Sequence, residues 1–123
     1  MYSTIKSIQL LTALLKKYNI NKLVLSPGGS DIPIIHSLEN DDFFECHSVV
    51  DERSAVYYGI GLAQQTKSPV ACICTSGTAV SNYLPGMTEA FYQDVPIVAI
   101  TADKDPYSCL LYTSDAADEL DGV

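Results

Sequence analysis

The sequence predicts an α/β fold in which a parallel sheet is flanked by helices. Short apolar segments typical of strands alternate along the chain with segments whose apolar residues recur at helical spacing. One strand, Val70–Cys74, is apolar at every position, as expected for a strand buried on both faces of a parallel sheet. The length of 123 residues and the hydrophobic content of 47% allow one domain with a substantial core.

Helices and strands are expected to alternate from the first element to the last. The expected helices are Ser3–Tyr18, a second starting at Ser30 or Asp31, Glu52–Gln65 and Thr78–Gln93, and the expected strands are Lys22–Leu25, Phe43–Val50, Val70–Cys74 and Val95–Thr101. Ser3 is a candidate N-cap for the first helix. A break is expected at Pro85, which cannot donate the backbone hydrogen bond of a helix interior.

Composition and charge narrow the class of partner. The chain has 15 acidic and 7 basic residues, which argues against nucleic acid and against an anionic membrane surface as partners. The N-terminus lacks the pattern of a signal peptide, and no apolar run is long enough to span a bilayer. The cysteines show no CxxC spacing and three lie in apolar segments, so buried thiols and a cytoplasmic location are expected.

The C-terminal segment, residues 109–123, differs from the rest of the chain. It contains four of the acidic residues, no basic residue and no useful helical or alternating pattern. Residues Cys109–Glu119 back-translate into DNA that resembles the transposon end and adapter of tagmentation sequencing libraries. We therefore predict that 109–123 is a non-native tail from sequencing read-through and that 1–108 is one N-terminal domain truncated near Ser108. A natural acidic terminus is the alternative.

Polar residues concentrate in three segments that each follow a predicted strand. These segments are Ser26–Ser30, Val50–Ser54 and Thr75–Asn82. The carboxyl ends of parallel strands share one edge of the sheet, and ligands bind at that edge in open α/β folds. We therefore expect the three segments to lie together and to form the functional site.

The first two segments also have plain structural interpretations. The paired glycines Gly28 and Gly29 let a backbone approach a ligand, but they equally suit a tight turn. Asp51 can cap the following helix while Glu52 favours its dipole. In the functional interpretation, one of these carboxylates is an acid or a hydrogen-bond acceptor at the sheet edge.

The third segment, Thr75–Asn82, offers hydroxyl and N–H groups that could hold an anion or a heterocycle. Ser76 as a nucleophile is disfavoured, because neither His36 nor His47 stands in a pattern that places it beside the serine. A metal site built from the two histidines and Cys46 is disfavoured further, since buried or surface positions explain each of them.

Four motifs in order carry a resemblance to a known family. They are Leu25-Ser-Pro-Gly28, Val50-Asp-Glu-Arg-Ser-Ala55 with Gly59 and Gly61, Cys74-Thr-Ser-Gly-Thr-Ala79 with Asn82 and Pro85, and Thr101-Ala-Asp103. Together they resemble the N-terminal, pyrimidine-binding domain of thiamine diphosphate-dependent enzymes, over nearly all of residues 1–104. Within that superfamily the chain is most similar to the synthases of the menaquinone pathway.

The resemblance implies thiamine diphosphate as cofactor and Glu52 as the catalytic residue that hydrogen-bonds N1′ of its aminopyrimidine. The other implied site residues are Pro27, Gly28 and Gly77 on the cofactor side, and Ser30, Thr75, Ser76 and Asn82 on the substrate side. Mg²⁺ and the diphosphate would be held by a downstream domain absent from this chain. The fragment alone is therefore expected to be inactive.

For the full-length protein, the resemblance implies a homodimer or homotetramer that decarboxylates a 2-oxo acid and transfers the acyl-anion unit to an acceptor. In the menaquinone-pathway synthases the two substrates are 2-oxoglutarate and isochorismate. Those synthases typically read Ser-Arg after the Pro-Gly, whereas this chain reads Gly29-Ser30-Asp31, and an acid there is expected to oppose a carboxylate substrate. One alternative is a related thiamine diphosphate decarboxylase or ligase with a different acceptor. Another is a non-catalytic α/β module that binds a nucleotide or a protein partner.

Overall fold

Helices and strands alternate in the computed structural model, which describes residues 3–103. The helices are α1 (Lys6–Lys17), α2 (Ile32–Glu39), α3 (Glu52–Thr66) and α4 (Thr78–Tyr92), and the strands are β1 (Lys22–Leu25), β2 (Glu45–Ser48), β3 (Val70–Cys74) and β4 (Ile97–Thr101). The strand order is β2-β1-β3-β4, and every neighbouring pair is parallel. The predicted fold class is confirmed.

The side chains of the central strands alternate between two apolar layers, one on each face of the sheet. Leu23 and Leu25 of β1 lie in the layer that α1 and α2 cover, together with Ile73 of β3. Val24 and Cys72 lie in the opposite layer, which α3 and α4 cover. All five residues of β3 are buried, as its uniformly apolar sequence predicted.

Small residues let α3 and α4 lie close to the sheet and to each other. A Cβ added at Gly59 of α3 would stand 2.9 Å from Sγ of Cys72, and one added at Gly86 of α4 would stand 2.5 Å from Cγ1 of Val56. Both helices begin a few residues after the carboxyl end of a strand. Their N-terminal turns therefore start at the edge where the site was predicted.

Several predicted element boundaries are wrong, those of α1, β2 and β4 by two residues or more; β4 begins at Ile97 instead of Val95. Helix α1 begins at Lys6 with Ile5 as its N-cap, and Ser3 Oγ instead accepts the N–H of Ile5 at 3.1 Å. Strand β2 covers only Glu45–Ser48, because its ladder partner is the four-residue strand β1.

The predicted break at Pro85 is also wrong, since α4 continues through this residue. Proline removes one backbone hydrogen bond from the helix, but the buried residues Tyr83 and Gly86 on either side pack into the core. Tertiary packing therefore outweighs the local penalty.

None of the helices within residues 3–103 is long and apolar enough to cross a membrane. The predicted tail, 109–123, lies outside the described residues and stays a prediction.

Candidate active site

The carboxyl edge of the sheet joins the three polar segments, as predicted. Ser26 connects the first segment to its neighbours: its N–H donates to the Ile73 carbonyl at 2.9 Å, and its hydroxyl donates to the Val49 carbonyl at 2.7 Å. The hydroxyls of Ser30 and Thr75 share a hydrogen bond of 2.7 Å. The loops after β1, β2 and β3 are thus held to one another by direct bonds.

Gly28 lies in the closest contact of this edge. A Cβ at this position would stand 2.6 Å from Cγ2 and 2.8 Å from Cβ of Thr75, closer than real side chains approach. The neighbouring Gly29 has open space where its Cβ would be. Only the first of the two glycines is therefore required by packing, because it lets the loops after β1 and β3 meet.

The two adjacent acids at the start of α3 have different roles. Asp51 is the N-cap, and its Oδ2 accepts the N–H of Ser54 at 2.8 Å, which is the main reason that the pKa of Asp51 is lowered. Glu52 opens the helix, is half-buried, and makes no hydrogen bond or ion pair within residues 3–103. One carboxylate is committed to the helix end, and the other is available to a ligand.

Glu52 has buried polar neighbours. Burial raises the pKa of Asp31, Cys74 and Tyr83, and the nearby Glu52 charge raises each of them further. These four side chains come from the N-cap of α2 and from α3, β3 and α4, so the carboxyl edge brings together four separate parts of the fold. We call this group, Asp31, Glu52, Cys74 and Tyr83, the inner cluster.

Asp31 is fully buried, and its side chain is turned into the protein. Its Oδ1 accepts the N–H of Gly28 at 2.7 Å, while its Oδ2 is buried with no hydrogen-bond partner within residues 3–103. This corrects the expectation that Asp31 presents a negative charge to a carboxylate substrate. The acid closes the turn that precedes it instead of facing outward.

Tyr83 places a buried hydroxyl in the inner cluster beside the thiol of Cys74, and the two groups shift each other's pKa. The residue is 2% exposed, and its hydroxyl makes no hydrogen bond of normal geometry in the described part of the chain. The thiol of the adjacent Cys74 donates to the carbonyl of Thr75 at 3.3 Å.

The neighbouring cysteine of β3, Cys72, lies outside the inner cluster. Burial raises the pKa of Cys72 to about 12, so the Cys72 thiol, as expected, is structural rather than reactive.

The other predicted site residues lie around this edge and, within residues 3–103, make no side-chain hydrogen bond across it. Gly77 is the N-cap of α4 and has a φ of 70°, a conformation that favours glycine. The Asn82 amide donates to the Thr78 carbonyl of its own helix at 2.8 Å. Pro27 is exposed and Ser76 is half-buried.

Sequence reasoning missed Asp31 and Tyr83 as members of the site. An acid at a helix start, three residues after a glycine, is a recognisable signal for a side chain that reaches back to a backbone N–H. No comparable signal exists for Tyr83, because its position in the apolar stripe of α4 also suits an ordinary core residue.

The fold and this edge define an α/β domain in which a half-buried carboxylate, without a hydrogen-bond or ion-pair partner in the described part of the chain, lies near buried polar atoms. A family model described as "Thiamine pyrophosphate enzyme, N-terminal TPP binding domain" matches residues 5–121. The chain belongs to this family.

Curated relatives with a more specific name are also similar to this chain. The 2-succinyl-5-enolpyruvyl-6-hydroxy-3-cyclohexene-1-carboxylate synthase of Phocaeicola vulgatus is 49% identical over 104 residues, which is 85% of this chain and 19% of that protein. The synthase of the same name from Bacteroides thetaiotaomicron is 48% identical over the same share of each chain. The present chain thus spans about a fifth of the length of these relatives.

A solved structure shows the same fold. The benzoylformate decarboxylase of Polynucleobacter necessarius superposes with a TM-score of 0.74 at 19% identity, over 92% of this chain and 20% of that one. At this identity the likeness concerns the fold alone.

Proposed function

We propose that this chain is the pyrimidine-binding domain of a larger thiamine diphosphate-dependent enzyme, with Glu52 as its catalytic acid–base residue. The observation that carries the proposal is the state of Glu52, which is half-buried at the carboxyl edge and has no partner within residues 3–103. In the inner cluster, Asp31 Oδ2 has no hydrogen-bond partner within residues 3–103, and Tyr83 Oη makes no hydrogen bond of normal geometry there. Buried polar groups left unsatisfied in this way cost stability, and proteins retain them mainly at functional sites.

The residues present suit an aminopyrimidine ring, which carries both hydrogen-bond donors and acceptors. Glu52 would hold the ring through N1′ and carry the proton at that atom. Gly28, Gly77 and Pro27 would line the ring with backbone rather than with bulky polar side chains. When bound, thiamine diphosphate supplies the carbon nucleophile that the protein itself lacks.

The substrate side is proposed to comprise Ser30, Thr75, Ser76 and Asn82. Similarity to the named synthases supports 2-oxoglutarate as donor and isochorismate as acceptor for the full-length protein. The inward position of Asp31 supports this choice, because no charge of that residue opposes an anionic substrate. Product formation from 2-oxoglutarate with and without isochorismate distinguishes this reaction from that of a related decarboxylase or ligase with another acceptor.

The remaining components are proposed to lie outside this domain. Within residues 3–103 no three His, Cys, Asp or Glu side chains are grouped to hold a metal ion. We propose that a downstream domain binds Mg²⁺ and the diphosphate, that the enzyme is a cytoplasmic homodimer or homotetramer, and that this fragment alone is inactive.

The test compares Glu52→Gln with Asp51→Asn in the full-length protein. The measured quantity is the exchange rate of the C2 proton of bound thiamine diphosphate. Glu52→Gln keeps the shape of the side chain but loses its acidity, so exchange should slow by roughly 10²–10⁴-fold. Asp51→Asn changes a neighbouring helix cap and should leave the rate within about threefold, since its side chain bonds Ser54 instead of the site.

Cofactor affinity, measured by calorimetry, shows that each variant is loaded during the exchange experiment. Equal exchange rates in the wild type and Glu52→Gln would remove the catalytic assignment and favour a non-catalytic binding module.

A further inference from the structure

We propose that Asp31 is a positioning residue that holds the Gly28 turn as a neutral, proton-bearing carboxyl. The inference rests on the proposed function in one respect only, namely that Gly28 contacts the cofactor. It adds to that function a residue that touches neither cofactor nor substrate and acts through the turn.

The geometry shows how Asp31 positions the turn. Its Oδ1 accepts the Gly28 N–H at 2.7 Å from a fully buried position, so water does not compete for this bond. The same glycine lies against Thr75 with no room for a Cβ. One hydrogen bond and one close contact therefore fix the backbone that is proposed to line the aminopyrimidine.

The surroundings of Asp31 favour its protonated form. Burial is the main cause that raises the pKa of Asp31, the Glu52 charge raises it further, and the N–H groups of Gly28 and of Asp31 itself act in the opposite direction. Cys74 of β3 is the other titratable group that senses the Asp31 charge. Within residues 3–103, no lysine, arginine or histidine is among the groups that shift the pKa of this carboxyl.

The negative charge of Glu52 disfavours a second negative charge on Asp31, although burial of Asp31 is the larger effect. Asp31 is fully buried, and its Oδ2 has no hydrogen-bond partner within residues 3–103, so nothing in this part of the chain offsets the cost of its ionisation at that atom. A neutral Asp31 can close the turn without placing a second negative charge beside the proposed catalytic glutamate.

The first test uses the full-length protein without cofactor and the variants Asp31→Asn and Asp31→Ala. Amide hydrogen exchange is measured by mass spectrometry on the peptide that contains Gly28. Asp31→Ala leaves a buried N–H unpaired and should speed exchange by about tenfold or more, whereas Asp31→Asn retains an acceptor oxygen and should stay within about threefold of the wild type. Equal exchange in Asp31→Ala and wild type would overturn the positioning role.

The second test determines the protonation state of Asp31 from the ratio of the wild-type to the Asp31→Asn exchange rate, measured as pH is raised from about 4, near the ordinary pKa of an aspartate. When the turn opens, Asp31 regains its ordinary pKa and ionises, but in the closed turn it keeps its proton. The closed wild-type turn therefore loses stability relative to Asp31→Asn as pH rises, and the ratio should increase by up to about tenfold per pH unit until the raised pKa is passed. A constant ratio would overturn the neutral state.

The third measurement separates this inference from the proposed function. Thiamine diphosphate should bind Asp31→Ala about tenfold more weakly than the wild type, and Asp31→Asn should restore the affinity. Equal affinity of Asp31→Ala and wild type would overturn positioning of the cofactor site. If the wild type itself bound no thiamine diphosphate, the proposed function would fail, while the exchange measurements would still decide whether Asp31 holds the turn.

Discussion

Two groups of polar side chains at different places on the sheet show opposite hydrogen-bonding states. The outer cluster comprises Glu45 and His47 of β2 and Tyr58 of α3. His47 Nε2 lies 2.8 Å from Glu45 Oε1, and His47 Nδ1 lies 2.8 Å from the Tyr58 hydroxyl. Each side chain of this cluster has a partner, and the bonds are exposed to water.

The inner cluster has the reverse character. Asp31 Oδ2 and Tyr83 Oη are buried without a partner within residues 3–103, and Glu52 makes no hydrogen bond there. Exposed, paired groups gain little from their bonds because water is a ready alternative. Buried, unpaired groups cost stability, and native proteins retain them mainly where function needs them. The outer cluster, in which each side chain has a hydrogen-bond partner, is thus the weaker candidate for a functional site.

The largest expected effect that sharpens this comparison comes from Gly28→Ala. The Cβ of the added methyl group would stand 2.6 Å from Cγ2 of Thr75, at the point where the loops after β1 and β3 meet. We expect a loss of about 1–3 kcal/mol in the free energy of unfolding. Urea denaturation measures this loss.

Gly29→Ala is the matched control for that variant, because it makes the same chemical change one residue later in open space. It should change stability by no more than about 0.5 kcal/mol. Similar losses of unfolding free energy in both variants would show that the backbone conformation of the turn, and not the contact with Thr75, makes alanine unfavourable here.

A smaller effect is expected when one tyrosine hydroxyl is removed from each cluster. Tyr83→Phe deletes a buried hydroxyl that makes no hydrogen bond of normal geometry within residues 3–103 and should raise the free energy of unfolding of the cofactor-free protein by up to about 1 kcal/mol. Tyr58→Phe deletes an exposed bond to His47 and should lower it by about 0.5 kcal/mol or less. Urea denaturation of the two variants gives both values.

The sign is the decisive feature of this pair. Marked destabilisation by Tyr83→Phe would mean that the tyrosine hydroxyl makes a stabilising hydrogen bond in the folded protein. The inner and outer clusters would then no longer differ in their hydrogen bonding.

The smallest effect is expected for His47→Ala, which removes the centre of the outer cluster. Since its ring bonds only exposed groups, the free energy of unfolding should change by no more than about 0.5 kcal/mol. Cofactor-dependent activity of the full-length protein should be unchanged. A large loss of activity would make the outer cluster part of the functional machinery.

Local sequence determined several features of this protein without help from distant residues. The boundaries of β1 and β3 were predicted to the residue, because short apolar runs bounded by polar residues have few other interpretations. The Asp51 cap was likewise predictable, since its partner Ser54 is three residues away. The meeting of the polar segments followed from the parallel order of the strands.

Only the tertiary structure decided the remaining features. Pro85 stays within α4, Asp31 turns inward, and the Tyr83 hydroxyl is buried beside the Cys74 thiol. Each outcome depends on residues that are distant in the sequence or on packing that removes water. Local patterns report the periodicity and turn chemistry of neighbouring residues, but the burial of a given polar atom is set by the elements that fold over it.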